Sequence, residues 1–100
     1  MNIEEKKWKR NQKQPKDNLF EWIHQHDPDI LLADGFEDAL IGVGQQFNKT
    51  LAVYDRQKCI EILMERDGMT DEQAVEYFDY NVTGAWVGEN TPIFFETFQE

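Results

Sequence analysis

The chain of 100 residues is the size of one domain, and its 40% hydrophobic and 30% charged content is that of a folded protein, so one folded unit is expected and wholesale disorder is not. Its formal charge of -10 is unevenly spread: residues 1–16 hold six basic side chains against two acidic ones, a net +4, and residues 17–100 hold four against eighteen, a net -14. So acidic a body repels phosphate backbones and anionic membranes, which disfavours direct nucleic-acid or membrane binding by residues 17–100.

No apolar run approaches the roughly 20 residues that a spanning helix requires, and the polar N-terminus lacks the apolar stretch of a signal peptide. The expectation is a soluble protein with no membrane partner. The single cysteine, Cys59, has no internal disulfide partner and suits a reducing cytosol.

The basic segment "KKWKRNQKQPK" at 6–16 offers Trp8 for stacking on a base between cationic neighbours, the one route by which nucleic acid is a partner. A short basic terminus is more commonly a solvated tail that folds back on its own acidic body. Pro15 is expected to break regular structure and Asp17 to cap a short helix over "NLFEWIHQH", ending before Pro28. Leu19, Phe20, Trp22 and Ile23 recur at spacings of three and four and predict one apolar stripe.

The period then changes. Ile41, Val43, Gln45 and Phe47 alternate with Leu40, Gly42, Gly44 and Gln46, and "LAVY" at 51–54 supplies a second run of strand formers, so a β-hairpin is predicted with Asn48 taking a positive φ in its turn. Gly42 and Gly44 fail as a dinucleotide fingerprint, because Phe47 stands where the third glycine belongs. Two glycines on one strand face instead admit a bend or the close approach of another side chain.

Asp55 is placed to cap a helix over "RQKCIEILMER" with Cys59, Ile60, Leu63 and Met64 as its apolar stripe, and Gly68 is placed to stop it. Thr70 and Gln73 form a capping-box pair ahead of a second helix whose apolar side is Ala74, Val75, Tyr77 and Phe78, continuing towards Val82. Gly84 and Gly88 mark turns, and Pro92 precedes a strand-like "IFFETF". The predicted fold class is α+β: a small antiparallel sheet, hairpin plus C-terminal strand, packed against an antiparallel helix pair and an N-terminal helix. Residues 17–100 make the single acidic domain and 1–16 its basic arm.

At this point the residues carry a resemblance. The run "VYDRQKCIEILMERDGMTDEQAVEYFDYNVTGAWVGENTPIF", with "DGFEDALIGVG" ahead of it, resembles a family of small proteins encoded by bacteriophages and prophages, over residues 34–95. The family has no established activity. The resemblance implies a viral gene product in the cytoplasm of a host bacterium.

Of the residues competent for chemistry, His24, His26, Asp27 and Asp29 lie close together, but i and i+2 on a helix point about 200° apart, so no metal is expected there. Asp34, Glu37, Asp38, Glu89 and Asn81 are candidates for an acidic pocket, and an enzyme would need at least two of Asp34, Asp38, Asp55 and Glu89 to converge. The chain has no serine, and Cys59 on an apolar stripe is badly placed for a thiolate, so no catalytic residue, metal or cofactor is assigned.

The leading expectation is a small acidic binding protein that docks on a basic surface of a host protein, as a nucleic-acid mimic or inhibitor, through Glu61, Glu65, Asp67, Asp71, Glu72, Glu76 and Asp79. The plain alternative is that these carboxylates only solvate the fold. Two others are a small metal-dependent enzyme on the acidic turn, and a self-assembling module built on Trp86, Phe94, Phe95 and Phe98.

Overall fold

The structure, a computed structural model, describes the backbone of residues 15–99 and the side chains from residue 18 onward. Most of the basic arm, Trp8 included, lies outside the described residues. The elements in order are helix α1 (Pro15–His26), a short 3₁₀ helix (Glu37–Ala39), strands β1 (Leu40–Gln46) and β2 (Lys49–Asp55), helices α2 (Arg56–Asp67) and α3 (Asp71–Phe78), a π-helical turn (Asp79–Thr83) and strand β3 (Ile93–Phe95). This is the predicted α+β arrangement, with one three-stranded sheet in the order β1-β2-β3.

Pro15 opens α1 instead of breaking it. The first helical position needs no N–H, and proline's fixed φ suits it, so the helix starts two residues ahead of the predicted cap. Ile23 is fully buried and Leu19 and Phe20 pack against the core, whereas Trp22 turns outward to lie against His26 at a ring separation of 4.6 Å.

β1 and β2 pair antiparallel through a two-residue turn, Phe47–Asn48. The positive φ falls on Phe47 (59°), not on Asn48. Phe47 thus stands 97% exposed at the hairpin tip, in a backbone region that side chains resist.

A bulge between Leu40 and Gly42 makes Ile41 the extra residue. Leu40 opposite Tyr54 and Val43 opposite Ala52 therefore share the core face, which reverses the predicted placing of Leu40 with the glycines. Gly42 and Gly44 do share the other face, and Val53 Cγ2 lies 3.2 Å from where a Gly44 Cβ would stand. The glycine makes room for that side chain, and the opening beside Gly42 is empty.

β3 runs parallel to β2, with Val53 beside Ile93 and Asp55 beside Phe95, so the predicted all-antiparallel sheet is corrected to a mixed one. The cause lies in the 84–92 segment. A helix pair alone would return the chain to the Asp55 end of β2, but this segment carries it back to the other end, where Glu89 pairs with Lys49. The chain then enters β3 in the same direction as β2.

The local signals at α2 and α3 act as predicted. Asp55 accepts from Lys58 N–H at 3.2 Å, Gly68 ends α2 in the left-handed conformation (φ 71°), and Thr70 and Gln73 form both bonds of a capping box. The core gathers Ile23, Leu40, Tyr54, Ile60, Leu63 and Phe78 between the sheet and the helices. Each such side chain contributes roughly 1.5–3 kcal/mol by leaving water.

Candidate functional site

α3 buries Ala74 and Phe78 at its core. At about 100° per residue, its opposite side carries Glu72, Glu76 and Asp79. Asp71, Glu72, Glu76 and Asp79 line a shallow open groove with Val75 and Tyr80 between them. Asp71 and Glu72 sit in the first turn, where the helix dipole favours negative charge. Tyr80 is 82% exposed, and Tyr77 also faces solvent.

The groove is acidic but framed on one side by Arg56. Its guanidinium bonds Asp79 at 2.7 Å and Glu96 at 3.4 Å while lying 5.7 Å from the centre of the Phe78 ring. The hydrogen bond to Asp79 pushes the arginine pKa above its ordinary value, so this charge is permanent. It fixes Asp79, and the remaining three carboxylates have no such cation beside them in the groove lining.

The π-helical turn sets where Tyr80 and Asn81 point. Asn81 Nδ2 donates to the Tyr77 carbonyl oxygen at 3.2 Å, and Thr83 Oγ1 donates to the Asp79 carbonyl oxygen at 3.3 Å. A Cβ on residue 84 would stand 2.8 Å and 2.9 Å from the Asp79 and Tyr80 carbonyl oxygens, so the turn closes only over glycine. Gly84→Ala is expected to cost about 1–3 kcal/mol, as overpacking against rigid backbone does. Urea unfolding checks it, and an unchanged midpoint would mean that the turn relaxes freely.

All seven carboxylates predicted for partner binding are exposed. The groove brings together Asp71, Glu72, Glu76 and Asp79, and its lining does not include Glu61, Glu65 or Asp67. Glu61 and Glu65 lie one turn apart on the side of α2 away from Cys59, Ile60 and Leu63. Asp67 is held by Arg66 at 3.1 Å, and that hydrogen bond draws its pKa down. Tyr77, expected on the apolar side of α3, instead faces solvent, as does Tyr80. The signal was present: the buried pair at 74 and 78 is a complete one-turn stripe, which leaves 77 and 80 outside it among carboxylates.

The other candidates separate. His24 and His26 are exposed in the last turn of α1, and Asp27 accepts from Asp29 N–H at 3.0 Å in a local turn. Among the described residues no three His, Cys, Asp or Glu side chains lie together to hold a metal ion. Asp55 caps α2 at one end of β2, and Glu89 pairs with Lys49 at the other, roughly 20 Å away along a seven-residue strand. Glu37 Oε2 accepts from Gly35 N–H at 3.1 Å. Asp34 and Asn81 line one pocket, which Asp38, Asp55 and Glu89 do not reach. Burial pushes the Cys59 thiol up to about 12, so it is a packed hydrophobe rather than a nucleophile. Phe94, expected among the self-assembly aromatics, turns inward to stack on Tyr54, while Trp86, Phe95 and Phe98 are exposed.

No helix among the described residues is long and apolar enough to cross a membrane. In comparisons with known proteins, the chain matches no family model, no curated protein and no solved structure.

Proposed function

We propose that this chain is a small acidic binding protein of phage type that acts in the host bacterial cytoplasm by docking on a basic surface of a host protein and blocking it, with carboxylates placed where nucleic-acid phosphates would lie. The observation that carries this reading is the α3 groove, where four carboxylates surround an exposed tyrosine. Solvation alone would favour scattered charges without aromatic rings. Tyrosine supplies a rigid apolar contact with a polar tip and holds lysine or arginine over its face, which is the composition of interface hot spots. The carboxylates steer a cationic partner and make association salt-sensitive.

The test is retention of a host protein from bacterial lysate at low salt on the immobilised full chain, followed by measured affinity for the retained protein. Glu72→Lys with Glu76→Lys is expected to weaken binding roughly 10–100-fold, and Glu61→Lys with Glu65→Lys to change it little. Equal loss from both pairs would reduce the effect to net charge and remove the groove from the account.

A second reading, self-assembly, draws on β3 being an edge strand with Phe95 and Phe98 exposed. Light scattering across concentration distinguishes it, since a monomer throughout ends that reading.

A further inference from the structure

Beside the acidic groove lies a different kind of cavity. A pocket of about 390 Å³ opens between residues 31–36, the π-helical turn and the 85–92 segment. That volume falls in the roughly 300–1,000 Å³ range of ligand pockets. Its walls are apolar, chiefly Leu32, Phe36, Val82, Val87, Pro92 and Phe94.

The pocket is braced on every side. Ala33 N–H donates to Tyr54 Oη at 2.6 Å, and Tyr54 in turn stacks on Phe94. Phe78 meets both Phe36 and Phe94 edge-on beneath it. Thr91 Oγ1 accepts from Val87 N–H at 3.0 Å and donates to the Gly88 carbonyl oxygen at 2.6 Å. Arg66 Nη1 donates to the Gly35 carbonyl oxygen at 2.8 Å, holding the turn that carries Asp34.

These bonds leave few polar atoms for a ligand. The Thr91 hydroxyl is used, and one of the two Asn81 amide N–H groups is committed to Tyr77. The one charged side chain of the lining is the Asp34 carboxylate, beside the Asn81 amide. An apolar body with a cationic neighbour therefore complements the pocket, and an anionic one is repelled.

The pocket also continues the docking groove. The groove shares Glu76 and Tyr80 with a middle depression that includes Met69, Gln73 and Tyr77, and that depression shares Asn81 with the apolar pocket. From residue 71 to residue 81 the path is roughly 15 Å along the helix. About five extended residues cover it.

We infer that the pocket is the anchor site for a bulky apolar side chain flanked by lysine or arginine in an extended segment of the partner protein, with the flanking cations on Asp34 and the α3 carboxylates. This rests on the docking reading above and narrows its partner from a basic surface to a basic segment with one apolar anchor.

The test uses the full chain at low salt and three blocked pentapeptides titrated by calorimetry: lysine-arginine-tryptophan-arginine-lysine, the same peptide with alanine for tryptophan, and an acidic peptide with tryptophan between glutamates. Residues 6–10 of this chain are themselves a tryptophan among lysines and an arginine, so the titrations are repeated on the Trp8→Ala chain, and markedly tighter binding to that variant gives the pocket to the chain's own arm and overturns the proposal. The tryptophan peptide is expected to bind at least roughly ten-fold more tightly than the alanine peptide, as burial of one large side chain implies, and the acidic peptide not to bind. Val87→Asp, at a position 61% exposed and so tolerant of the change, is expected to abolish the preference for tryptophan, read as the ratio of the two basic peptides' affinities so that the effect of the added charge cancels. Equal affinity for the two basic peptides, no binding of either, or a preference that survives Val87→Asp overturns the proposal. A full-chain dimer that Val87→Asp dissociates gives the pocket to a second copy and overturns it as well. The two readings fail separately: capture sensitive to Glu72→Lys and Glu76→Lys but blind to Val87→Asp keeps the docking groove and loses the anchor, and the reverse pattern loses the groove.

Discussion

Raising the pH from 9 to 12 is expected to remove several kcal/mol of stability from this fold, through two buried groups that have no salt bridge to lose. Burial pushes the Cys59 thiol from 9.0 to about 12, with Asp55 adding to the effect and Arg56 opposing it. Burial likewise pushes Tyr54 from 10.0 up to about 12, against a lowering by the Ala33 N–H bond. In each case the folded state holds a proton that the unfolded chain releases at lower pH. The stabilisation is therefore complete below pH 9 for Cys59 and below pH 10 for Tyr54, and is lost as pH rises to 12. At about 1.4 kcal/mol per pH unit, the thiol contributes on the order of 4 kcal/mol and the phenol on the order of 3. Urea unfolding at successive pH values reads this directly. Cys59→Ala separates the two, since its decline should begin only near pH 10, where Tyr54 starts to matter. A midpoint that stays level to pH 11 in the unaltered chain would show that both groups reach water readily.

The parts of the fold legible in the sequence are those with a local cause. Asp55, Gly68 and the Thr70–Gln73 pair act through bonds three or four residues long, and each ended or began a helix as read. The Gly-x-Gly run was legible for the same reason, since a missing Cβ creates room whatever fills it. What escaped depends on residues far apart in the chain. The Leu40 bulge is set by which residues of β2 stand opposite, and a one-residue shift flips a strand's faces. The direction of β3 is set by the course of residues 84–92, which bring Glu89 to Lys49, forty residues earlier in the chain. The site divides in the same way. Asp71, Glu72, Glu76 and Asp79 follow from helical spacing, as does Tyr80 one turn beyond Glu76, but the π-helical turn that continues α3 requires Gly84 to pass under two carbonyl oxygens, and no short pattern announces that. Which acids and amides share a pocket depends on contacts between residues far apart in the chain, and of the five candidates Asp34 and Asn81 line one together.

The aromatic floor of that pocket is where stability and recognition meet, and Phe78→Ala is expected to damage both. Phe78 is fully buried and meets Phe36 at 5.7 Å and Phe94 at 5.2 Å, both edge-on, with Arg56 5.7 Å from its centre. One ring thus joins α3 to the turn before β1, to β3, and to the arginine that holds Asp79 in the groove. Its removal leaves a cavity that three separate segments would have to close together, so relaxation is limited and the cost should approach the 3–5 kcal/mol typical of such truncations. Against a total of about 5–15 kcal/mol for a domain of this size, that is a fall in Tm on the order of 20 °C. Thermal unfolding measures it, and a fall of only a few degrees would mean that the aromatic cluster repacks. Tyr80→Ala provides the contrast, because a side chain so exposed contributes little to folding. It should leave Tm within a few degrees and still weaken partner binding, whereas Phe78→Leu, which keeps an apolar side chain under the pocket, should recover most of the stability. If Tyr80→Ala bound the partner as tightly as the unaltered chain, the exposed ring would have no part in docking, and its position outside the core would need another cause.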